Sequence, residues 1–362
     1  MKSIRLPFEV KSAILACGAD LKGAFALAKG DKAYLFDGFG DLSELDNFTR
    51  YINAIAVAQK ELKISPKIIA CDLHPGYFST QFAKSLQPKA YSLKLCKVQH
   101  HEAHIASAII DNNIKGDVFG VAFDGTGYGL DGNIWGGEFF VGGLKSLKRI
   151  AHLEYIPMPG GDACIKEPWR MAASYLYYIF GDGFLKLKID FVKSIDKIKW
   201  AVLKNMIDKR INSPLTSGMG RLFDAAGSLV LNKPIANFEA ELPIELEKIA
   251  EKGVDDSYDS DNSAGIIKAV VRDVGKNVPA STISAKFHNS IANMIVAVAK
   301  KSKIKQVVLS GGVFQNRYLM SRTVKMLNKN NFKVYTHLNV ETNDSGIPIG
   351  QTAIANARAV CA

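Results

Sequence analysis

Asp124-Gly125-Thr126-Gly127-Tyr128-Gly129 comes directly after Val118-Phe119-Gly120-Val121-Ala122-Phe123. The apolar run has the pattern of a buried strand, and the six residues after it are a carboxylate leading a glycine-rich turn. The arrangement recurs twice near the C-terminus. Gln306 to Leu309 runs into Ser310-Gly311-Gly312-Val313-Phe314-Gln315-Asn316, and Asn343-Asp344-Ser345-Gly346 precedes a helical stretch from Ile347 to Val360. Backbone N–H groups in such turns, and at the helix starts after the last two, can donate to phosphate oxygens. One such turn alone is ordinary chain reversal. Three in an alternating α/β chain, two of them with a carboxylate, point to a cleft for a nucleotide and a metal.

Upstream lies Val98-Gln99-His100-His101-Glu102-Ala103-His104, followed by the apolar, alanine-rich Ile105 to Ile110. On a helix the spacing of His100 and His104 puts both imidazoles on one face, a turn apart. Two neutral imidazoles so placed can chelate a divalent ion. Asp124 and Asp344 could complete the shell. Two imidazoles with two carboxylates suit Zn²⁺ or Fe²⁺ better than Mg²⁺, which prefers oxygen ligands. The plain alternative is a packed histidine face with the aspartates as turn or cap residues.

The bulk properties narrow the field. At 362 residues, 48% hydrophobic, the chain can form one bilobal unit. No apolar run reaches the ~20 residues needed to span a bilayer, and Met1-Lys2-Ser3-Ile4-Arg5 lacks a signal-peptide pattern, so a cytoplasmic protein is expected. The five cysteines are scattered without a CxxC pair, which argues against a zinc finger or a disulfide framework. A formal charge of +11, with lysine denser at 186–210 and 300–305, favours an anionic ligand. Without an aromatic RNA-binding motif, nucleic acid is the minority reading.

Taken in order, residues 13–40 predict three short strands: Ala13 to Gly18, Gly23 to Ala28 and Lys32 to Phe36. A helix is expected from Ser43, as its cap, to Leu62. Then come a strand from Lys67 to Asp72, a helix from Ser79 to Leu86, a strand from Tyr91 to Val98 and the histidine helix. A second lobe opens near Asp117 with another meander, its later strands at Asn133 to Val141 and Arg149 to Tyr155. That parallel suggests a duplication, with a first lobe over residues 1–114 and a second over 115–362. A helical insert is expected at about 160–280. It is broken at Ser217 to Asp224 and ends in an exposed loop at 253–265. Ser284 to Lys301 is helical, and Lys333 to His337 is a strand.

The layout is similar to the sugar-kinase/actin superfamily, in which nucleotide lies between two duplicated RNase H-like lobes. No Walker or Rossmann glycine pattern competes with it. A narrower resemblance rests on motifs appearing in one order from about Ile14 to Val360. They are Cys71-Asp72-Leu73-His74-Pro75, Gln99 to His104, Asp124 to Gly129, Trp135-Gly136-Gly137-Glu138, Pro159-Gly160-Gly161-Asp162 and Glu167-Pro168-Trp169-Arg170. Gly220-Arg221-Leu222-Phe223-Asp224, Phe287-His288-Asn289, Ser310 to Asn316 and Asn343 to Ile347 complete the set. Together they resemble the C-terminal, TsaD-like domain of the HypF carbamoyltransferases, which mature [NiFe]-hydrogenases.

The resemblance implies ATP-derived carbamoyl adenylate, made by a YrdC-like domain or protein. The carbamoyl group would pass to the C-terminal cysteine of a HypE-like acceptor, releasing AMP. It implies a metal on His100, His104, Asp124 and Asp344, and a nucleotide along Gly125, Thr126, Gly127, Gly311, Gly312 and Asn316, with Arg221 and Asp224 facing it. A metal there would be a Lewis acid, and Arg170 or Arg221 would steady the leaving charge. For either arginine a surface ion pair is the plain alternative. His101 would orient the carbamoyl group or act as base, against a purely packed role on the far helix face. HypF proteins carry acylphosphatase, zinc-finger and YrdC-like regions ahead of this one. None is in the sequence, so a fragment or a stand-alone transferase is expected, one that transfers and does not synthesise the adenylate. Rival readings are a TsaD-type tRNA threonylcarbamoyl transferase, a small-molecule O-carbamoyltransferase and a non-catalytic nucleotide-binding subunit.

Overall fold

The computed structural model describes residues 1–86 and 93–361. The first sheet is built from β1 (Lys2–Ala16), β2 (Phe25–Phe36), β3 (Ile68–Asp72) and β4 (Lys94–Val98). The helices α1 (Leu45–Leu62) and α2 (Phe78–Leu86) fall between its strands, and α3 (His100–Asp111) follows β4. Strand order is β2-β1-β3-β4, with β1 antiparallel to β2 and parallel to β3. Where three strands were expected over 13–40 there are two long ones, because β1 begins at Lys2 and β2 runs unbroken through Gly30. Irregular pairing between Arg5 and Ile14 absorbs the mismatch. Glu44, not Ser43, precedes α1, and its side chain makes no cap. Tyr91 and Ser92, expected in β4, lie outside the described residues.

The second sheet begins with β5 (Val118–Tyr128), β6 (Ile134–Gly143), β7 (Ser146–His152) and β8 (Ile156–Pro157). A helical region follows: α4 (Ala163–Lys166), α5 (Trp169–Phe180), α6 (Asp190–Ser194), α7 (Lys197–Asp208), the two-residue strand β9 (Leu215–Thr216), α8 (Met219–Leu231), α9 (Glu241–Ile249), α10 (Ser263–Gly275) and α11 (Ala280–Ser302). The chain closes with β10 (Gln306–Ser310), α12 (Arg317–Lys329), β11 (Lys333–Tyr335) and α13 (Ile347–Cys361). Strand order is β11-β10-β5-β6-β9-β8, with β7 on β6. In both sheets a first strand has a hairpin partner on one side and a parallel strand, reached by a crossover, on the other: β2-β1-β3-β4 answers β6-β5-β10-β11. The fold is thus α/β and two-lobed.

Three local expectations are corrected. Met219 to Asp224 opens α8 and does not interrupt a helix; the break lies just before it, at β9. The 253–265 loop ends inside α10 and buries Tyr258 in the core. β11 stops at Tyr335, two residues short of His337. Among the described residues no helix is long and apolar enough to cross a membrane.

The core explains why α3 carries so little polar surface. Ala103, Ala106 and Ile110 pack with the first sheet and α13, while Ile105, Ala108 and Ile109 pack with the second sheet. A helix apolar on both sides is a buried one. Along β5, Phe119, Val121 and Phe123 face the helical region. The alternate positions face α3, where a side chain on Gly120 would collide with Ile105. The tight fit fixes the first turn of α3 between the two sheets.

Candidate metal centre and nucleotide cleft

His100 and His104 occupy the first two turns of α3, whose amino end is capped by the Gln99 side chain, accepting from Glu102 N. Asp124 sits in β5, not at its end. Pairing of β5 with β6 slips between Phe123 and Gly127, so the expected turn is a bulge that re-aims the carboxylate. Asp344 lies in the turn before α13, where the Asn343 side chain accepts from Ser345 N. These elements bring one atom from each of His100, His104, Asp124 and Asp344 within 4.8 Å of one another. His104 Nε2 is 3.0 Å from Asp124 Oδ2 and 3.5 Å from Asp344 Oδ1. His100 Nε2 is 3.6 and 3.5 Å from the same two oxygens.

Burial pushes both imidazoles toward neutrality, but the carboxylates outweigh it. Asp344, Asp124 and Asp72 hold His100 well above the ordinary histidine range, and Asp124 and Asp344 raise His104. Burial likewise pushes the two carboxylates up, and the histidines bring both below the usual range. His100 Nε2 is buried without a hydrogen-bond partner. A site that favours two imidazolium charges, converges two nitrogens and two carboxylates and leaves one nitrogen unpaired fits a divalent ion.

Asp72 supports this centre and was not singled out from the sequence as a site residue. Fully buried at the end of β3, it receives His100 Nδ1 at 2.9 Å on one oxygen and His74 N at 2.8 Å on the other. The available signal was a carboxylate closing a five-residue strand that is otherwise apolar. Gln99 does double service: its amide nitrogen lies 3.1 Å from His101 Nδ1 and 3.1 Å from the Tyr128 carbonyl oxygen.

A cleft of about 390 Å³ adjoins the centre, lined by Asp124, Gly125, Thr126, Arg221, Gly312, Asn316 and Asp344 among others. Gly125 is backed by α8 so closely that a side chain on Gly220 would lie 2.8 Å from its Cα. Its N–H donates to Asp124 Oδ1. Asn316 reaches the cleft with its amide engaged, the oxygen accepting from Leu319 N and the nitrogen meeting His288 Nε2. Arg221 is buried, with Nε and Nη1 unpartnered and Nη2 2.8 Å from Asp224. Burial pushes Asp224 up to about 6 against the pull of Arg221.

Several expected residues do not line this cleft. Gly127 packs under His100 and His101, and Gly311 lies against the Phe123 backbone at φ 104°, where a side chain has no room. Asp224 stands behind Arg221. His101 is buried beside Gly127 and Gln99, and burial and His100 hold it well below its ordinary pKa. Arg170 pairs with Glu167 and leans on the Pro159 loop. Glu138, from the Trp135-Gly136-Gly137-Glu138 motif, takes the N–H groups of Gly136 and Gly137, the Ser217 hydroxyl and Arg149, tying β6 to the start of α8.

Fold and site define a two-lobed α/β protein with a four-residue metal-type centre opening onto a cleft between its sheets. Residues 9–111 match the family described as HypF Kae1-like domain, and residues 120–351 the carbamoyltransferase Kae1-like domain, second subdomain. The chain belongs to the HypF carbamoyltransferase family. It is 33% identical to carbamoyltransferase HypF of Synechocystis sp., over 96% of this chain and 48% of that one. It is 30% identical to a carbamoyltransferase HypF homolog of Cupriavidus necator, over 94% and 91%. A full-length HypF crystallised in a phosphate- and nucleotide-bound form superposes with a TM-score of 0.91 at 39% identity, covering 98% of this chain and 47% of that one. The chain thus spans about half the length of most of the curated relatives it matches.

Proposed function

We propose that this chain is the carbamoyl-transfer unit of hydrogenase maturation. It takes carbamoyl adenylate into the cleft and hands the carbamoyl group to the C-terminal cysteine thiol of a HypE-like acceptor, releasing AMP. A YrdC-like domain or protein supplies the adenylate. One observation carries the reading: Asp124 and Asp344 belong at once to the four-residue centre and to the cleft wall. A ligand in the cleft therefore reaches the centre without crossing a packed layer.

His100, His104, Asp124 and Asp344 would hold a Zn²⁺ or Fe²⁺ ion, which supplies Lewis acidity toward a carbonyl or phosphate oxygen. Arg221 lines the cleft, its Nη2 on the side of Gly125, and would meet the nucleotide's negative charge. Gly312 leaves the cleft wall open next to Asp124, where a side chain would come within 3.1 Å of its carboxylate. His101 fits a positioning role better than that of a base: with Nδ1 accepting from the Gln99 amide, its proton belongs on Nε2, which is buried beside Gly127 without a partner. The acceptor sulfur, as thiolate, attacks the carbamoyl carbon, the bond from that carbon to the phosphate oxygen breaks, and AMP leaves as the anion.

The test offers carbamoyl adenylate and a HypE-like protein to the purified chain, with mass spectrometry of the acceptor's C-terminal peptide. A single added carbamoyl group on cysteine is the expected result. Transfer to tRNA or a small alcohol in parallel reactions, with none to the thiol, would replace the proposed acceptor. Formation of AMP and pyrophosphate from ATP and carbamoyl phosphate by this chain alone would contradict a transfer-only role.

A further inference from the structure

The helical region carries another cavity, of about 650 Å³, which shares no lining residue with the cleft at the metal centre. It is a groove between α10 and the connection from α5 to α6. Its walls approach closely: a side chain on Gly275 would lie 3.7 Å from Ile189 Cγ2. Phe180, Leu187, Ile189 and Ala269 make an apolar floor continuous with the core beneath. The rim is basic. Lys268, Arg272 and Lys276 stand along α10 and Lys188 on the opposite wall, against a single carboxylate, Asp259.

Among the described residues Lys188, Lys268 and Lys276 make no ion pair. Arg272 Nε is 3.5 Å from Asp273 Oδ1, while Lys286 holds the other oxygen of that carboxylate at 2.6 Å. Residues 268, 272 and 276 follow at intervals of four, so they share a helix face, and like charges so placed repel one another. The row is a local cost that a bound anion would remove.

The spacing selects the anion. Four residues of helix rise about 6 Å, and an extended chain presents alternate side chains on one face about 6.6 Å apart. From Gly265 to Lys276 the groove runs about 16 Å, the reach of about five extended residues. Carboxylates at alternate positions of such a segment fall beside successive cations. Asp259 and Ser260 on the rim can accept from its backbone N–H groups, which a phosphodiester strand does not have.

We propose that this groove docks an extended acidic segment of a partner protein, with Asp or Glu at every second position. The docking site is separate from the metal centre and its cleft, and it does not depend on the transfer reaction.

Fluorescence anisotropy of the whole chain with two labelled, end-blocked peptides tests this. One alternates glutamate with alanine, and the other carries the same glutamates side by side. At about 10 mM ionic strength, where surface charge is little screened, the alternating peptide binds several-fold more tightly than its isomer. Lys268→Glu with Arg272→Glu weakens that binding about tenfold, the worth of two partly exposed ion pairs. Both side chains are exposed, so thermal stability is kept. Lys300→Glu with Lys301→Glu makes the same change of charge at the far end of α11 and leaves binding nearly unchanged. Equal binding of the two peptides, or equal losses in the two variants, means a general attraction to a basic surface and overturns the proposal. So does failure of the alternating peptide to bind. A single-stranded oligonucleotide that binds more tightly than the peptide, and is lost in the groove variant, replaces the acidic segment with nucleic acid and overturns it too.

Discussion

Asp72 Oδ2 and His100 Nδ1 lie 2.9 Å apart, both enclosed, so the imidazole donates its Nδ1–H to Asp72 and Nε2 is the nitrogen on the side of Asp124 and Asp344, the one whose lone pair a metal would take. A carboxylate behind a ligating histidine fixes its tautomer and raises its basicity. Asp72→Asn keeps the shape and reverses the bond. Its oxygen still faces His74 N, its amide donates to Nδ1, and the proton moves to Nε2. Metal affinity should drop by about 10- to 100-fold with the far-ultraviolet dichroism unchanged. A competitive chelator titration measures it, and native affinity in that variant would remove Asp72 from the site.

The centre also depends on how closely two helices approach. A side chain on Gly350 of α13 would lie 1.8 Å from the Ala103 carbonyl oxygen of α3. Asp344 stands just ahead of α13, and His100 and His104 flank Ala103. Gly350→Ala must spread the helices, costing about 1–3 kcal/mol or more from overpacking. It should carry Asp344 away from the histidines, so thermal stability and metal content fall together. A variant that lost stability but bound metal normally would show that the helix contact does not set the ligand geometry.

Arg221 and Asp224 form a buried pair whose two functions can be separated. Arg221→Met leaves a buried carboxyl already pushed up to about 6 without its partner, at a cost of about 3–5 kcal/mol. A carboxyl whose folded pKa is raised binds its proton more tightly folded than unfolded. It therefore stabilises at low pH and loses that contribution as pH rises through the folded value. Denaturation at pH 5 and pH 8 should show the smaller cost at pH 5. Adding Asp224→Leu should recover much of the stability at pH 8 without recovering AMP binding. Recovery of both would make Arg221 purely structural.

What could be read from the sequence obeyed local rules. The i, i+4 spacing of His100 and His104 gives a shared helix face, and a carboxylate in a glycine-containing turn, after an apolar strand for Asp124 and before a helix for Asp344, gives the other two. The family resemblance rested on motif order and did not need to know what each motif does. What could not be read is set by contacts distant in sequence. A glycine after a strand looks the same whether it opens a wall, as Gly312 does, or admits a neighbouring backbone, as Gly311 does. Asp124-Gly125-Thr126 looks like a turn until the pairing of β6 makes it a bulge. Asp72 resembles a turn residue until α3 brings His100 against it. Asn316 lines the cleft as expected, but nothing local shows that His288, on another helix, meets its amide.

That last contact carries a pH dependence. His288 Nδ1 lies 2.7 Å from the Ser284 carbonyl oxygen and Nε2 faces the Asn316 amide, which in turn caps α12. Burial pushes the imidazole down to about 4, against the Ser284 carbonyl that raises it. The unfolded chain, with an ordinary histidine pKa of about 6.5, takes up the proton first. Between those values unfolding binds protons, so this residue's contribution is complete above pH 6.5 and fades as pH falls toward 4. The whole effect amounts to about 3 kcal/mol. His288→Gln should be less stable than the native chain at pH 7, with the gap narrowing on acidification. Urea denaturation of the two proteins across pH 4.5 to 7.5 measures that gap; a constant gap would mean that folding does not shift the imidazole pKa, and a gap that widens on acidification would mean that His288 is protonated in the fold, with the Asn316 amide turned to accept from it.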